Sequence, residues 1–93
     1  MKRQQKGETA WQILNYINRY VDKHKFAPTT REIGKALGIQ STSTTNGHIK
    51  RMEKHALLYQ KPHSTRALRI TDAGYESLKS KDKRIHYPTD GGK

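Results

Sequence analysis

The sequence predicts a mainly helical fold with one small β-hairpin. Three observations carry that reading. Thr29 and Glu32 form a Thr-x-x-Glu box directly after Pro28, and Gly38 follows the apolar pattern Ile33, Ala36, Leu37. These are start, face and stop signals of a short helix. Ser41 then opens another helical stretch with a polar front. After that stretch, residues 57–61 and 66–70 are short strand-like runs flanking Pro62-His63-Ser64-Thr65. Helix, turn, helix and a two-stranded wing together describe a winged helix-turn-helix, with a three-helix core and a short C-terminal helix.

Each element has its own signals. Residues 1–8 read as a basic flexible arm, with Lys2, Arg3 and Lys6. The first helix begins near Glu8 or Thr9 and reaches His24. Ala10, Ile13, Leu14, Ile17 and Val21 recur at helical spacing, with Tyr20 beside them and Trp11 well round from their centre. Phe26 is expected to plug the core from the following loop. In the second helix, Ile33, Ala36 and Leu37 face inward, and Gly34 suggests close contact with another helix. Gly38 supplies a left-handed turn residue.

At about 100° per residue, the third helix (41–54) sorts into two sides. Thr45, Ile49, Met52 and Ala56 fall on the core side. Ser43, Gly47, Lys50 and Lys54 fall opposite, flanked by Thr44, Asn46 and Arg51. In the wing, Leu68 and Ile70 point inward and Arg69 outward. Thr71 caps a fourth helix whose inward pair is Tyr75 and Leu78. One domain over 9–80 is expected, then a flexible basic tail over 81–93.

Charge narrows the function. The formal net charge is +11 over 93 residues, and Glu53 is the only acidic residue from Ile33 to Thr71. A polyanionic partner follows, nucleic acid before an acidic membrane. No apolar run approaches the roughly 20 residues that span a bilayer. No apolar signal-peptide region follows the charged start. The chain has no cysteine, which removes disulfides and thiolate zinc sites. His48, His55 and His63 lack the spacing of a metal site. No nucleophile–base–orienter set and no Gly-rich phosphate loop is visible, so neither catalysis nor a cofactor is expected.

The outer face of the third helix has the order a groove-reading helix needs. Small hydrogen-bonding groups come first and cations later. Gly47 allows close backbone approach, and the Asn46 amide matches an adenine edge. Phosphate contacts are expected from Lys50, Arg51 and Lys54, from Arg66 and Arg69 on the wing, and from the helix starts at Thr29, Thr30, Arg31 and Thr42. His48 is read as a packing or phosphate-contact histidine.

The pattern Pro28-Thr29-x-Arg31-Glu32-Ile33-Gly34-x-Ala36-x-Gly38, then Ser41-x-Ser43-Thr44, Gly47-His48-Ile49 and Arg51-Met52-Glu53, continues through the wing to Arg66-Ala67. From about Thr9 to Ile70 the chain resembles the N-terminal winged helix-turn-helix domain of the LexA family of bacterial repressors. The resemblance implies that Ser41, Ser43, Thr44, Asn46 and Gly47 face bases, and that the wing near Arg66 meets backbone or minor groove. The family also carries a self-cleaving Ser/Lys peptidase domain that dimerises it. This chain has no room for one, so self-cleavage is expected to be absent. Ala56 stands where the family usually has a turn glycine, and Asn46 stands at a variable base-reading position. Thr71-Asp72-Ala73-Gly74 is similar to the helix after the wing in MarR-type regulators, which suggests a free-standing regulator.

The expectation is therefore a cytoplasmic, nucleoid-associated regulator that binds a specific duplex DNA sequence, acting as a repressor. A homodimer on a palindromic or repeated site is the expected assembly, with no membrane partner and no evident small-molecule effector. The rivals are a replication or mobile-element accessory protein, an interaction protein that pairs with a host LexA-like repressor, and an RNA binder.

Overall fold

The computed structural model describes residues 7–62 and 66–87. The expectations for the arm over 1–6, the wing turn at 63–65 and the end at 88–93 lie outside the described residues. The order is α1 (Glu8–His24), α2 (Thr30–Leu37), α3 (Thr42–Lys54), β1 (Leu58–Gln60), β2 (Leu68–Ile70) and α4 (Asp72–Ser77). The strands pair antiparallel, Leu58 with Ile70, Tyr59 with Arg69 and Gln60 with Leu68. This is the mainly α architecture with a small hairpin that the sequence predicts, and the strands are shorter than the runs that announced them.

Local chemistry explains the helix ends. The Thr29 hydroxyl accepts the Glu32 N–H at 3.1 Å, and the Glu32 carboxylate accepts the Thr29 N–H at 2.9 Å. This reciprocal box satisfies two donors at the start of α2. Gly38, at φ 72°, closes α2, and Ile39 N–H reaches back to the Gly34 carbonyl at 2.8 Å. Ser41 Oγ accepts the Thr44 N–H and starts α3. Thr71 Oγ1 accepts the Gly74 N–H and starts α4. Only residues 38–41 separate α2 from α3, which makes the connection a tight turn.

The core gathers Ile13, Leu14 and Ile17 of α1, Ile33 of α2, Ile49 and Met52 of α3, and Leu58 and Leu68 of the wing. Val21 only borders it. α2 and α3 meet at Gly34, where a Cβ would lie 2.8 Å from Thr45 Oγ1. Thr45 is fully buried there and its hydroxyl donates to the Ser41 carbonyl. The close contact expected of Gly34 is thus real, and it corrects the inward face of α2. That face is Ile33 and Gly34 with Leu37 at its edge, while Ala36 is exposed.

Four further expectations are corrected. Ala56 is exposed rather than on the core side, because it has left the helix for a left-handed turn at φ 63°. Phe26 is 47 % exposed rather than a core plug, since Ala27 and Pro28 fill that space. Tyr75 is 47 % exposed, and the buried member of α4 is Gly74, pressed against the Leu57 carbonyl. The last correction concerns the domain edge. Ile85, within the expected tail, is 4 % exposed in the core, and its N–H donates to the Gly7 carbonyl at 2.9 Å. Packing therefore runs past residue 80 to at least Tyr87, which borders the core cluster.

Candidate nucleic-acid interface

α3 presents one free side. Ser41, Thr42, Ser43, Thr44, Gly47, Lys50, Arg51 and Lys54 are exposed, while Thr45, Ile49 and Met52 hold the opposite side in the core. Asn46 is half-buried at the flank of the exposed side. Beyond its own stretch of helix, none of the described residues lies within 4 Å of where a Gly47 Cβ would stand, so the backbone there is open to close approach. The carboxylate of this helix, Glu53, is half-buried and accepts from Gln60 Nε2 at 3.5 Å.

Cations follow the small groups along the same side. Lys50 and Lys54 are one turn apart and exposed. Arg51 is exposed, with its guanidinium carbon 4.6 Å from the Tyr87 ring centroid. His48 is half-buried. Burial, and then the neighbouring Arg51 charge, hold its pKa below the ordinary value, which favours the uncharged ring.

At α2, Thr30 is half-buried in the first turn and Arg31 is exposed. Thr29 is engaged in the capping box, as its sequence position indicates. On the wing, Arg69 is exposed, and one guanidinium nitrogen donates to the Leu68 and Arg66 carbonyls at 2.9 and 3.2 Å. Its second terminal nitrogen has no such bond among the described residues.

Arg66 departs from expectation. Its two terminal nitrogens grip Glu32 Oε1 and Oε2 at 2.8 and 2.9 Å, and one of them also donates to the Ala27 carbonyl at 3.1 Å and Tyr20 Oη at 3.3 Å. Its guanidinium carbon lies 4.8 Å from the Phe26 ring centroid. A guanidinium so committed is a clamp between the wing and the start of α2. The Arg66 hydrogen bonds, and then the Thr29 N–H, pull the Glu32 pKa from 4.5 to about 2. The clamp has two consequences for an anion at this surface. It neutralises the carboxylate in the first turn of α2, and it ties the wing to that helix across the interface. It also accounts for Phe26, which joins Tyr20 and His24 in a surface aromatic cluster under the guanidinium. Sequence reasoning missed the pair because its partners lie 34 residues apart.

Residues 2–67 match the family model described as "LexA DNA binding domain". The LexA repressor of Oenococcus oeni is 47% identical over 66 residues, which cover 71% of this chain and 31% of that protein. The LexA repressor of Pediococcus pentosaceus is 42% identical over 76 residues, covering 82% of this chain and 36% of that protein. The LexA repressor of Lactobacillus helveticus is 47% identical over 74 residues, covering 80% and 36%. The chain thus spans about a third of the length of the curated relatives it matches. With a family-model match across most of its length and the expected helix-turn-helix and wing in place, the chain belongs to the LexA DNA-binding domain family.

Proposed function

We propose that this domain binds a specific sequence of duplex DNA and acts as a transcriptional repressor. α3 lies in the major groove, with Ser41, Ser43, Thr44, Asn46 and Gly47 facing base edges. Thr30, Arg31, Thr42, Lys50, Arg51, Lys54 and Arg69 meet phosphates. Thr29 and Arg66 act one step back, by fixing the start of α2 and the wing. Repression follows from occupying promoter DNA, as the name of the relatives suggests for them.

The observation that carries this reading is the free side of α3. Its exposed residues run from small hydrogen-bonding groups to cations and include no carboxylate. Short groups reach base edges where the helix start enters a groove, and cations meet the backbone where it leaves. A single module of this size buries about 600–1,000 Å² on DNA. Two copies on a palindromic or repeated site therefore supply the affinity a regulator needs.

The test is a competition. A labelled DNA duplex bound by the protein is challenged with unlabelled duplex DNA and with duplex RNA of the same sequence. DNA should displace the probe and RNA should fail, because the deep, narrow major groove of A-form RNA does not admit a helix. Equal competition by RNA would reject the major-groove assignment.

A further inference from the structure

The family match ends at residue 67, and the chain beyond it returns to α3. Ile85 is the anchor. It is buried, and its N–H is fixed to the Gly7 carbonyl at 2.9 Å. Two residues on, the Tyr87 ring lies against the last turn of α3. Its centroid is 4.5 Å from the His55 ring and 4.6 Å from the Arg51 guanidinium carbon. Arg51 and His55 are one helical turn apart, so a single ring supports both. Beside them, Lys50, Arg51, Lys54 and His55 line a shallow hollow of about 350 Å³, with no carboxylate among the described residues that line it.

The C-terminal end of a helix is a poor place for an anion, because its dipole presents about half a negative charge there. Cations must outweigh that charge, and flexible ones lose rotamer freedom when they do so. A guanidinium already laid on an aromatic face has surrendered part of that freedom before it binds.

We propose that Tyr87 is a positioning residue that holds Arg51 for one DNA backbone phosphate, in a seat completed by Lys50, Lys54 and His55. The segment 84–87 is then a working part of the DNA-binding module, beyond the conserved-domain match. This inference rests on the duplex-binding reading above. The Tyr87 hydroxyl is buried with no hydrogen-bond partner among the described residues. The ring, not the hydroxyl, is what Arg51 uses.

The experiment compares the wild-type chain with Tyr87→Leu, Tyr87→Phe, Arg51→Ala and Arg51→Lys. Binding to a short duplex of fixed, arbitrary sequence is followed across a salt series, since phosphate contacts form on any sequence. Each phosphate contact contributes about 0.9 to the slope of log affinity against log salt. Y87L and R51A should each lower the slope by about that amount, and the double variant should lose no more than either alone. Y87F should match the wild type. R51K keeps the charge and is exposed, so folding is not at issue. It should keep a slope near that of the wild type but bind more weakly at every salt, because an ammonium neutralises the phosphate yet does not stack flat on the ring. Wild-type affinity for R51K, or a wild-type slope for folded Y87L, overturns the proposal. A Y87F slope as low as that of Y87L overturns the role of the ring. A wild-type protein that binds no duplex at any salt defeats the duplex-binding reading itself, a result distinct from normal binding by all variants.

Discussion

Truncating Ile85 to Ala tests whether the C-terminal segment is part of the fold. Ile85 is 4 % exposed, so nearly the whole side chain is taken from water. The change deletes three carbons, each contributing about 0.8 kcal/mol when buried. That transfer loss is roughly 2.4 kcal/mol, near the lower end of the range of about 2–5 kcal/mol seen for large-to-Ala core substitutions. The lower end applies because the segment lies at the domain edge and can settle into the space, while its bond to the Gly7 carbonyl is main-chain and survives. For a domain of this size each kcal/mol shifts Tm by about 4–8 °C. Thermal unfolding followed by circular dichroism should therefore show a drop of roughly 10–20 °C. A drop below about 2 °C would mean that residues 81–87 add nothing to the folded state, and the domain would end near 80 as its composition suggests.

Other perturbations address single contacts. Ala56 sits at φ 63°, in a turn closed by the Leu57 N–H on the Met52 carbonyl at 2.9 Å. Ala56→Gly relieves about 1–2 kcal/mol of left-handed strain. It returns about 0.4–1 kcal/mol through a freer unfolded chain. A net gain of about 0.5–1 kcal/mol should appear as a higher Tm, and a lower Tm would show that this turn carries no strain. The folded-state pKa of Glu32 is depressed from 4.5 to about 2. Its contribution to stability is present in full above pH 4.5 and fades as pH falls toward 2. Unfolding curves of Glu32→Gln should lie below wild type at neutral pH, with the gap closing across that window; a constant gap would contradict the clamp. Lys50→Ala should weaken all duplexes alike and lower the salt slope by about 0.9, and an unaltered slope removes Lys50 from the phosphate set. Asn46→Ala should weaken the preferred sequence by about 1–3 kcal/mol and relax one base position; an unchanged ratio of preferred to arbitrary duplex would show that Asn46 reads no base.

Features encoded within a few residues were legible in the sequence. The Thr29–Glu32 box, the Gly38 turn, the Ser41 and Thr71 caps and the apolar stripe of α1 all follow from spacing of three or four residues. The side of α3 that stays exposed was legible for the same reason. Long-range choices were not. Arg66 reads as one more wing cation until folding brings Glu32 beneath it. Ile85 is a lone apolar residue among Lys81, Lys83, Arg84 and His86, so no periodicity marks it as core. Ala36 and Gly34 flank the Ile33–Leu37 line of α2 on opposite sides, and only the approach of Thr45 decides which is covered. Phe26 looked like a core plug because apolar residues usually are, yet its partners are an aromatic cluster and a guanidinium at the surface.

Selection of the purified protein against a random duplex pool at about 0.15 M salt, where surface attraction is partly screened, tests the central claim. The account predicts a recovered motif, symmetric or repeated, whose half-site spacing follows the DNA helical repeat. A pool that emerges unenriched, with binding that fades as salt rises, would reduce the surface to general basic attraction and contradict sequence-specific recognition by α3.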